Sequence, residues 1–172
     1  MIALVTGGSG SGKSAFAEKL VLSLTGESYI YLATMQNYGD EETSRRIARH
    51  RDMRADKGFV TVEQSMDLSK ADIPEGACVL LECLPNLVAN EMFDGGDTQR
   101  ILPALDALAA RCASLVVVTD SVFSDGVTYD ESTTAYLRCL AACAAHIAAR
   151  ADAVVEVVCG IPVPVKGALP CV

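Results

Sequence analysis

Eight residues near the start of the chain carry the chemistry that is easiest to name. Gly7-Gly8-Ser9-Gly10-Ser11-Gly12-Lys13-Ser14 fits the spacing G-x-x-x-x-G-K-[ST]. Glycines at these positions let the main chain wrap an anion and aim its N–H groups inward. The lysine then reaches the β and γ phosphates, and the serine hydroxyl is a ligand for Mg²⁺. A helix that starts at Lys13 would add its positive end to the same anion. This is a nucleoside triphosphate site. Its metal needs an acid as well, and two apolar runs end in one: Val79-Leu80-Leu81 in Glu82, and Val116-Val117-Val118 in Asp120. Spacing alone does not choose between them. A GTPase switch is the first rival, but the chain holds no N-K-x-D motif and no D-x-x-G after a strand.

A second constellation is basic. Six of the 14 Lys and Arg residues fall between Arg45 and Lys57, in a chain of net charge -8. Asp40 can cap a helix there, with Glu41 and Glu42 in the first turn and basic residues later, as the helix dipole favours. On such a helix Arg46, His50 and Arg54 form one stripe at four-residue spacing. Glu41–Arg45 and Glu42–Arg46 are also i,i+4 pairs, so a solvated, salt-bridged surface helix is the competing reading. The cations at Arg49 and Arg51 disfavour protonation of His50 and leave a neutral ring nitrogen, suited to attack on phosphorus.

Elements must hold these groups in place, and the hydrophobic pattern predicts them. Ile2 to Val5 reads as a buried strand that runs into the glycine loop, and Phe16, Leu20, Val21 and Leu24 give helical spacing after it. Further strands are expected at Tyr29–Ala33, Val60–Val62, Cys78–Glu82, Leu115–Asp120 and Ala153–Cys159. Helices are expected over Ile101–Cys112 and Thr134–Arg150, and Gly160 to Val165 can return as a hairpin. Apolar runs without alternation, separated by helices, mark a parallel sheet covered on both faces. The fold class is therefore α/β.

At 172 residues, with 51% hydrophobic and 21% charged residues, the chain suits one domain spanning 1–172, and disorder is excluded. The acidic balance argues against nucleic acid or an anionic membrane as partner. The basic island suits a small anionic ligand instead. Seven cysteines without a C-x-x-C pair read as reduced thiols used as small core residues. The opening apolar run has no basic n-region, and no apolar stretch reaches the roughly 18–20 residues of a bilayer span, so a cytoplasmic location is expected.

Several blocks together resemble the adenosylcobinamide kinase/adenosylcobinamide-phosphate guanylyltransferase family of cobalamin biosynthesis. They are Leu4-Val5-Thr6-Gly7-Gly8 through Ser14 with Ala17-Glu18, Tyr31-Leu32-Ala33-Thr34, Arg46-Ile47-x-x-His50-x-x-x-Arg54, Thr61-x-Glu63, and Leu80-Leu81-Glu82-Cys83 with Asn90 downstream. The resemblance implies a P-loop, RecA-like sheet and a homotrimer. It implies two reactions on one chain. ATP or GTP phosphorylates the hydroxyl of adenosylcobinamide. GMP then passes from GTP through a guanylyl-histidine to adenosylcobinamide phosphate. By the motif, the guanylylated residue falls on His50, with Lys13 also catalytic. Nucleotide contacts fall on Gly7 to Ser14, Ala33, Thr34, Met35, Arg51, Asp52, Met53, Arg54, Glu63 and Glu82, and Mg²⁺ on Ser14 and Glu82. The chain departs from the pattern at Asp120-Ser121-Val122-Phe123, where Asn-Glu-Val-Gly is usual, at Ala145-His146 for Asn-Gln, and at Phe59 for Trp. A kinase-only member, or a nucleotide-binding regulatory protein without turnover, are the alternatives.

Overall fold

The computed structural model of the chain describes residues 1–36, 57–123 and 126–170. Its elements are β1 (Ile2–Thr6), α1 (Lys13–Ser23), β2 (Tyr29–Ala33), β3 (Val60–Glu63), β4 (Cys78–Glu82), α2 (Leu84–Phe93), α3 (Ile101–Arg111), β5 (Ser114–Val118), α4 (Glu131–Arg150), β6 (Ala153–Val158) and β7 (Ile161–Lys166). Single 3₁₀ turns lie at Leu68–Lys70 and Thr98–Arg100. The strands form one sheet in the order β3-β2-β4-β5-β1-β6-β7. All neighbours are parallel except β6 and β7. This is the mainly parallel α/β sheet that the continuous apolar runs predict, with the P-loop strand near its centre.

Successive residues of each strand feed opposite faces. Leu4, Ile30, Leu32, Val79, Leu81, Leu115, Val117 and Val154 join a core with α2, α3 and α4. Ala3, Val5, Tyr31, Leu80, Val116, Val118, Val155 and Val157 pack on the other face, against Ala17, Leu20 and Val21 of α1. Because both faces are covered, β5 is buried along its whole length, which only an unbroken apolar run such as Leu115 to Val118 tolerates.

The expected boundaries hold to within a few residues, with two differences. α4 begins at Glu131, three residues before the predicted start at Thr134. Asp130 caps it: one carboxylate oxygen accepts from the Thr133 backbone N–H at 2.8 Å. That bond and those from the Ser132 and Thr133 hydroxyls hold the Asp130 carboxyl below its usual range. The second difference is α2, which the periodicity reading left as unassigned chain. Its signals are Pro85 in the first turn and Leu84, Leu87 and Val88 at helical spacing. The helix predicted from Asp40 lies outside the described residues.

The predicted hairpin is present. Cys159 (φ 50°) and Gly160 (φ 81°) form its two-residue turn, with both residues in the left-handed region that such turns require. Cys159 is thus exposed in a turn and is not a core residue; of the others described, Cys78 and Cys143 are buried, and all six are free thiols. Lys166 at the end of β7 donates to the Ala148 and Ala149 carbonyls, satisfying the C-terminal end of α4. Lys57 forms an ion pair with Glu18 of α1. No helix among the described residues is long and apolar enough to cross a membrane.

Buried Glu91 on α2 ties two connections to the core. Its Oε1 accepts from the Asp67 N–H at 2.6 Å and its Oε2 from the Asp97 N–H at 2.8 Å. A carboxylate that accepts two backbone N–H groups contributes through charge-assisted bonds. Glu91→Ala should lower stability by about 2–4 kcal/mol, read as a fall in the urea midpoint, with Glu91→Gln intermediate because the amide keeps one acceptor.

Candidate nucleotide site at the carboxyl end of the sheet

β1 delivers the chain to the glycine loop at the carboxyl edge of the sheet, where open α/β folds bind ligands. The loop closes on itself through Ser11 N–H to the Gly8 carbonyl at 3.2 Å. Two neighbours hold it from outside: Ser121 N–H donates to the Gly7 carbonyl at 3.2 Å, and Gly160 N–H to the Ser11 carbonyl at 2.8 Å. Two glycines are sterically required. A Cβ on Gly7 would stand 2.6 Å from the Val157 carbonyl oxygen. Gly12 has φ +90° and precedes α1. No side chain caps α1, and its first turn holds no acid. Its leading N–H groups are therefore presented to an incoming anion.

The two residues after Gly12 reach different partners. Lys13 Nζ donates to the Gly8 carbonyl at 3.1 Å and pairs with Asp120 Oδ1 at 2.7 Å. Ser14 Oγ donates to Glu82 Oε1 at 2.6 Å. Of the two acids, Glu82 meets the loop serine and Asp120 meets the lysine. Glu82 Oε2 is buried without a hydrogen-bond partner among the described residues. An orphaned carboxylate oxygen beside a loop serine fits Mg²⁺, which takes one or two protein oxygens and completes its shell with phosphate and water. Among the described residues no group of three or more His, Cys, Asp or Glu converges, and a Mg²⁺ site of this kind needs none.

Ala33, Glu63 and Thr34 lie at or just past the strand ends of the same edge. Ala33 pairs in register with Glu82 on one side and Glu63 on the other, so three strands end level with each other. β3 is the fourth strand away from β1, which places Glu63 roughly 19 Å across the sheet from the loop strand. Glu63 therefore stands away from the loop phosphates. Thr34 is buried, and its hydroxyl is already committed: it donates to the Cys83 carbonyl and accepts from the Cys83 N–H at 2.8 and 2.9 Å. Asn90 donates to the Thr34 carbonyl at 2.8 Å and to the Ser65 carbonyl at 2.9 Å. These bonds brace the ends of β2 and β4 against each other. Met35 follows, partly buried. His50, Arg51, Asp52, Met53 and Arg54 lie outside the described residues.

Sequence reasoning missed a cleft of about 450 Å³ beside Lys13, with walls that include Pro85, Asp120, Val122, Tyr129, Tyr136 and Leu137. Tyr136 Oη donates to the Pro85 carbonyl at 3.3 Å. Burial, then the nearby Cys83 and Asp120, pushes the Tyr136 phenol upward, so it stays neutral. No linear signal announces this cleft, because it forms where α2 and α4 meet the residues after β5.

Comparison with known proteins agrees with the geometry. The family of cobinamide kinase / cobinamide phosphate guanyltransferase matches residues 3–165. The chain belongs to this family. Two similar relatives are bifunctional adenosylcobalamin biosynthesis proteins. That of Escherichia coli strain K12 is 36% identical, covering 96% of this chain and 100% of its own length. That of Pseudomonas aeruginosa strain PAO1 is 31% identical, covering 95% of this chain and 96% of its own. Among solved structures, a KaiC-like protein of Pyrococcus horikoshii OT3 overlays at a TM-score of 0.49 with 13% identity, over 90% of this chain and 69% of that one. Members of the cobinamide kinase family thus extend over essentially this whole length.

Two outcomes test the site. Glu82→Gln removes one charge from the Ser14–Glu82 pair, so the gain in triphosphate affinity on adding Mg²⁺ should fall at least about tenfold by calorimetry, while metal-free binding persists. A gain equal to that of the wild type overturns the metal assignment. Cys83 adjoins the pair, and burial, opposed by a backbone hydrogen bond from Asn86, leaves its thiol at about 11. At pH 8 it is therefore protonated and unreactive. Iodoacetamide followed by peptide mass spectrometry should label exposed Cys159 well before Cys83.

Proposed function

We propose that the chain carries both reactions of its family. It phosphorylates the aminopropanol hydroxyl of adenosylcobinamide with ATP or GTP, then transfers GMP to adenosylcobinamide phosphate to give adenosylcobinamide-GDP. The observation that carries this reading is the loop arrangement in which Ser14 meets Glu82 and Lys13 meets Asp120, in a chain that matches the family over residues 3–165. In the first reaction the hydroxyl oxygen attacks the γ-phosphorus, and the bond from that phosphorus to the β–γ bridging oxygen breaks. The loop N–H groups and Lys13 stabilise the charge on the phosphoryl oxygens. Ser14 and Glu82 would hold Mg²⁺, which supplies charge neutralisation across the β and γ phosphates.

In the second reaction a ring nitrogen of His50 attacks the α-phosphorus of GTP and pyrophosphate leaves. A phosphate oxygen of adenosylcobinamide phosphate then attacks the same phosphorus and frees His50. Covalent catalysis here splits one hard displacement into two easier ones. Arg46, Arg51 and Arg54 would offset charge at the α-phosphate, and Ala33, Thr34, Met35, Asp52, Met53 and Glu63 would complete the nucleotide contacts. A single domain, homotrimeric assembly and a cytoplasmic location belong to the same reading, and light scattering reads the assembly.

GTP labelled at the α-phosphate should leave an acid-labile label on the protein, and His50→Ala should abolish it. Phosphorylation of adenosylcobinamide without any label on the wild type would remove the transferase half and leave a kinase. Tight GTP binding with neither label nor product would support the regulatory alternative.

A further inference from the structure

Asp120 is, among the described residues, an acidic side chain at the loop that the proposed Mg²⁺ ligands leave unused. It sits two residues past the end of β5, and β5 lies between the loop strand β1 and the Glu82 strand β4. Its backbone is clamped on both sides. Thr119 N–H donates to the Val5 carbonyl at 2.9 Å, and Ser121 N–H donates to the Gly7 carbonyl at 3.2 Å. The side chain is therefore presented from a fixed position on the sheet and not from a swinging loop. One oxygen holds Lys13 at 2.7 Å, and the carboxylate is also part of the cleft wall. The rest of the wall mixes Pro85, Val122, Leu137 and two tyrosines with the neutral Ser121 and Thr133, and among the described residues it carries no cation.

This arrangement has a chemical direction. Once Lys13 is drawn away by a bound phosphate, an anionic acceptor would meet the Asp120 carboxylate in a cleft whose described wall offers no cation, and that repulsion is unfavourable. A neutral hydroxyl on an apolar arm meets a hydrogen-bond acceptor instead. When triphosphate oxygens take Lys13, as the kinase reading implies, Asp120 loses its ion pair just where such a hydroxyl would enter. Position 121 carries Ser where the pattern this chain resembles has Glu, so the segment keeps one carboxylate, at 120.

We infer that Asp120 is the proton acceptor for the alcohol substrate in the kinase reaction, and that the Pro85–Tyr136 cleft admits the arm bearing that alcohol. The inference rests on the kinase reading above. As the hydroxyl oxygen bonds the γ-phosphorus, its O–H bond breaks and the proton passes to the Asp120 carboxylate. The nucleoside diphosphate leaves with the electron pair of the broken P–O bond. The partly exposed carboxyl then returns the proton to water. The ion pair with Lys13 is the resting arrangement that nucleotide binding exchanges for this one.

The experiment compares wild type, Asp120→Asn and Asp120→Glu, each confirmed folded by circular dichroism. It measures ATP affinity by calorimetry and steady-state phosphorylation of adenosylcobinamide. Asp120→Asn should lower kcat about 10²–10³-fold, the range of a lost general base, while ATP affinity stays equal or rises because a competitor for Lys13 is gone. Asp120→Glu should recover at least about tenfold of the Asn loss, since it restores the proton acceptor. A kcat for Asp120→Asn within threefold of wild type overturns the inference. So does a loss matched by an equal loss of ATP affinity, which would make Asp120 only a positioning residue for Lys13. If the wild type binds ATP but does not phosphorylate adenosylcobinamide, the kinase reading itself fails and this assignment goes with it.

Discussion

Binding a phosphate chain through backbone N–H groups requires those groups to converge, and convergence requires a main chain with no freedom to relax. Most of the architecture follows from that constraint. The loop cannot supply its own rigidity, because glycines are the residues with most conformational freedom to lose. Rigidity comes from its neighbours: the residues after β5 hold Gly7 and the β6–β7 turn holds Ser11. The antiparallel hairpin at the edge of a parallel sheet thus has a mechanical purpose. Its two-residue turn places the Gly160 N–H against the loop, and Lys166 at its far end secures α4.

The same constraint explains the distribution of charge. The net charge of -8 argues against a broad polyanion surface, and at the described loop an anion is met by backbone N–H groups and, among described side-chain cations, by Lys13. Within the described site, acids stand beside these donors with separate tasks. Glu82 meets a hydroxyl and keeps an unpaired oxygen; Asp120 meets an ammonium. Sheet topology separates them, because β4 and β5 are adjacent strands that end at the same edge.

Much of this was legible in the linear chain, and the reasons are physical. Strands buried on both faces must be apolar throughout, so β1, β4 and β5 stand out as Ile2–Val5, Val79–Leu81 and Leu115–Val118. The loop is legible because the close approach of Gly7 to Val157 and the positive φ of Gly12 leave little choice of residue. What failed to show was non-local. That Ser14 meets Glu82 and Lys13 meets Asp120 depends on strand order, which spacing does not encode. α2 was hidden because its apolar stripe is short and starts directly at a strand's end. The commitment of Thr34 to Cys83, and the cleft near Tyr136, arise only when segments about 50 residues apart in sequence meet.

The span of the edge bears on how one small chain could run two phosphorus chemistries. Acceptor phosphorylation concerns the γ-phosphorus, and the groups suited to it stand at the ends of β1, β4 and β5. Glu63 lies four strands from β1, too far to share a phosphate with Lys13. A nucleotide that touches both ends of the edge must lie along it, with its phosphates at one end and its nucleoside toward the other. Of the residues that flank the His50 stretch in sequence, Gln36 lies just past the end of β2 and Lys57 pairs with Glu18 on the loop helix. In the proposed scheme His50 acts on the α-phosphorus and Asp120 serves the γ end, so the two steps use different catalytic groups.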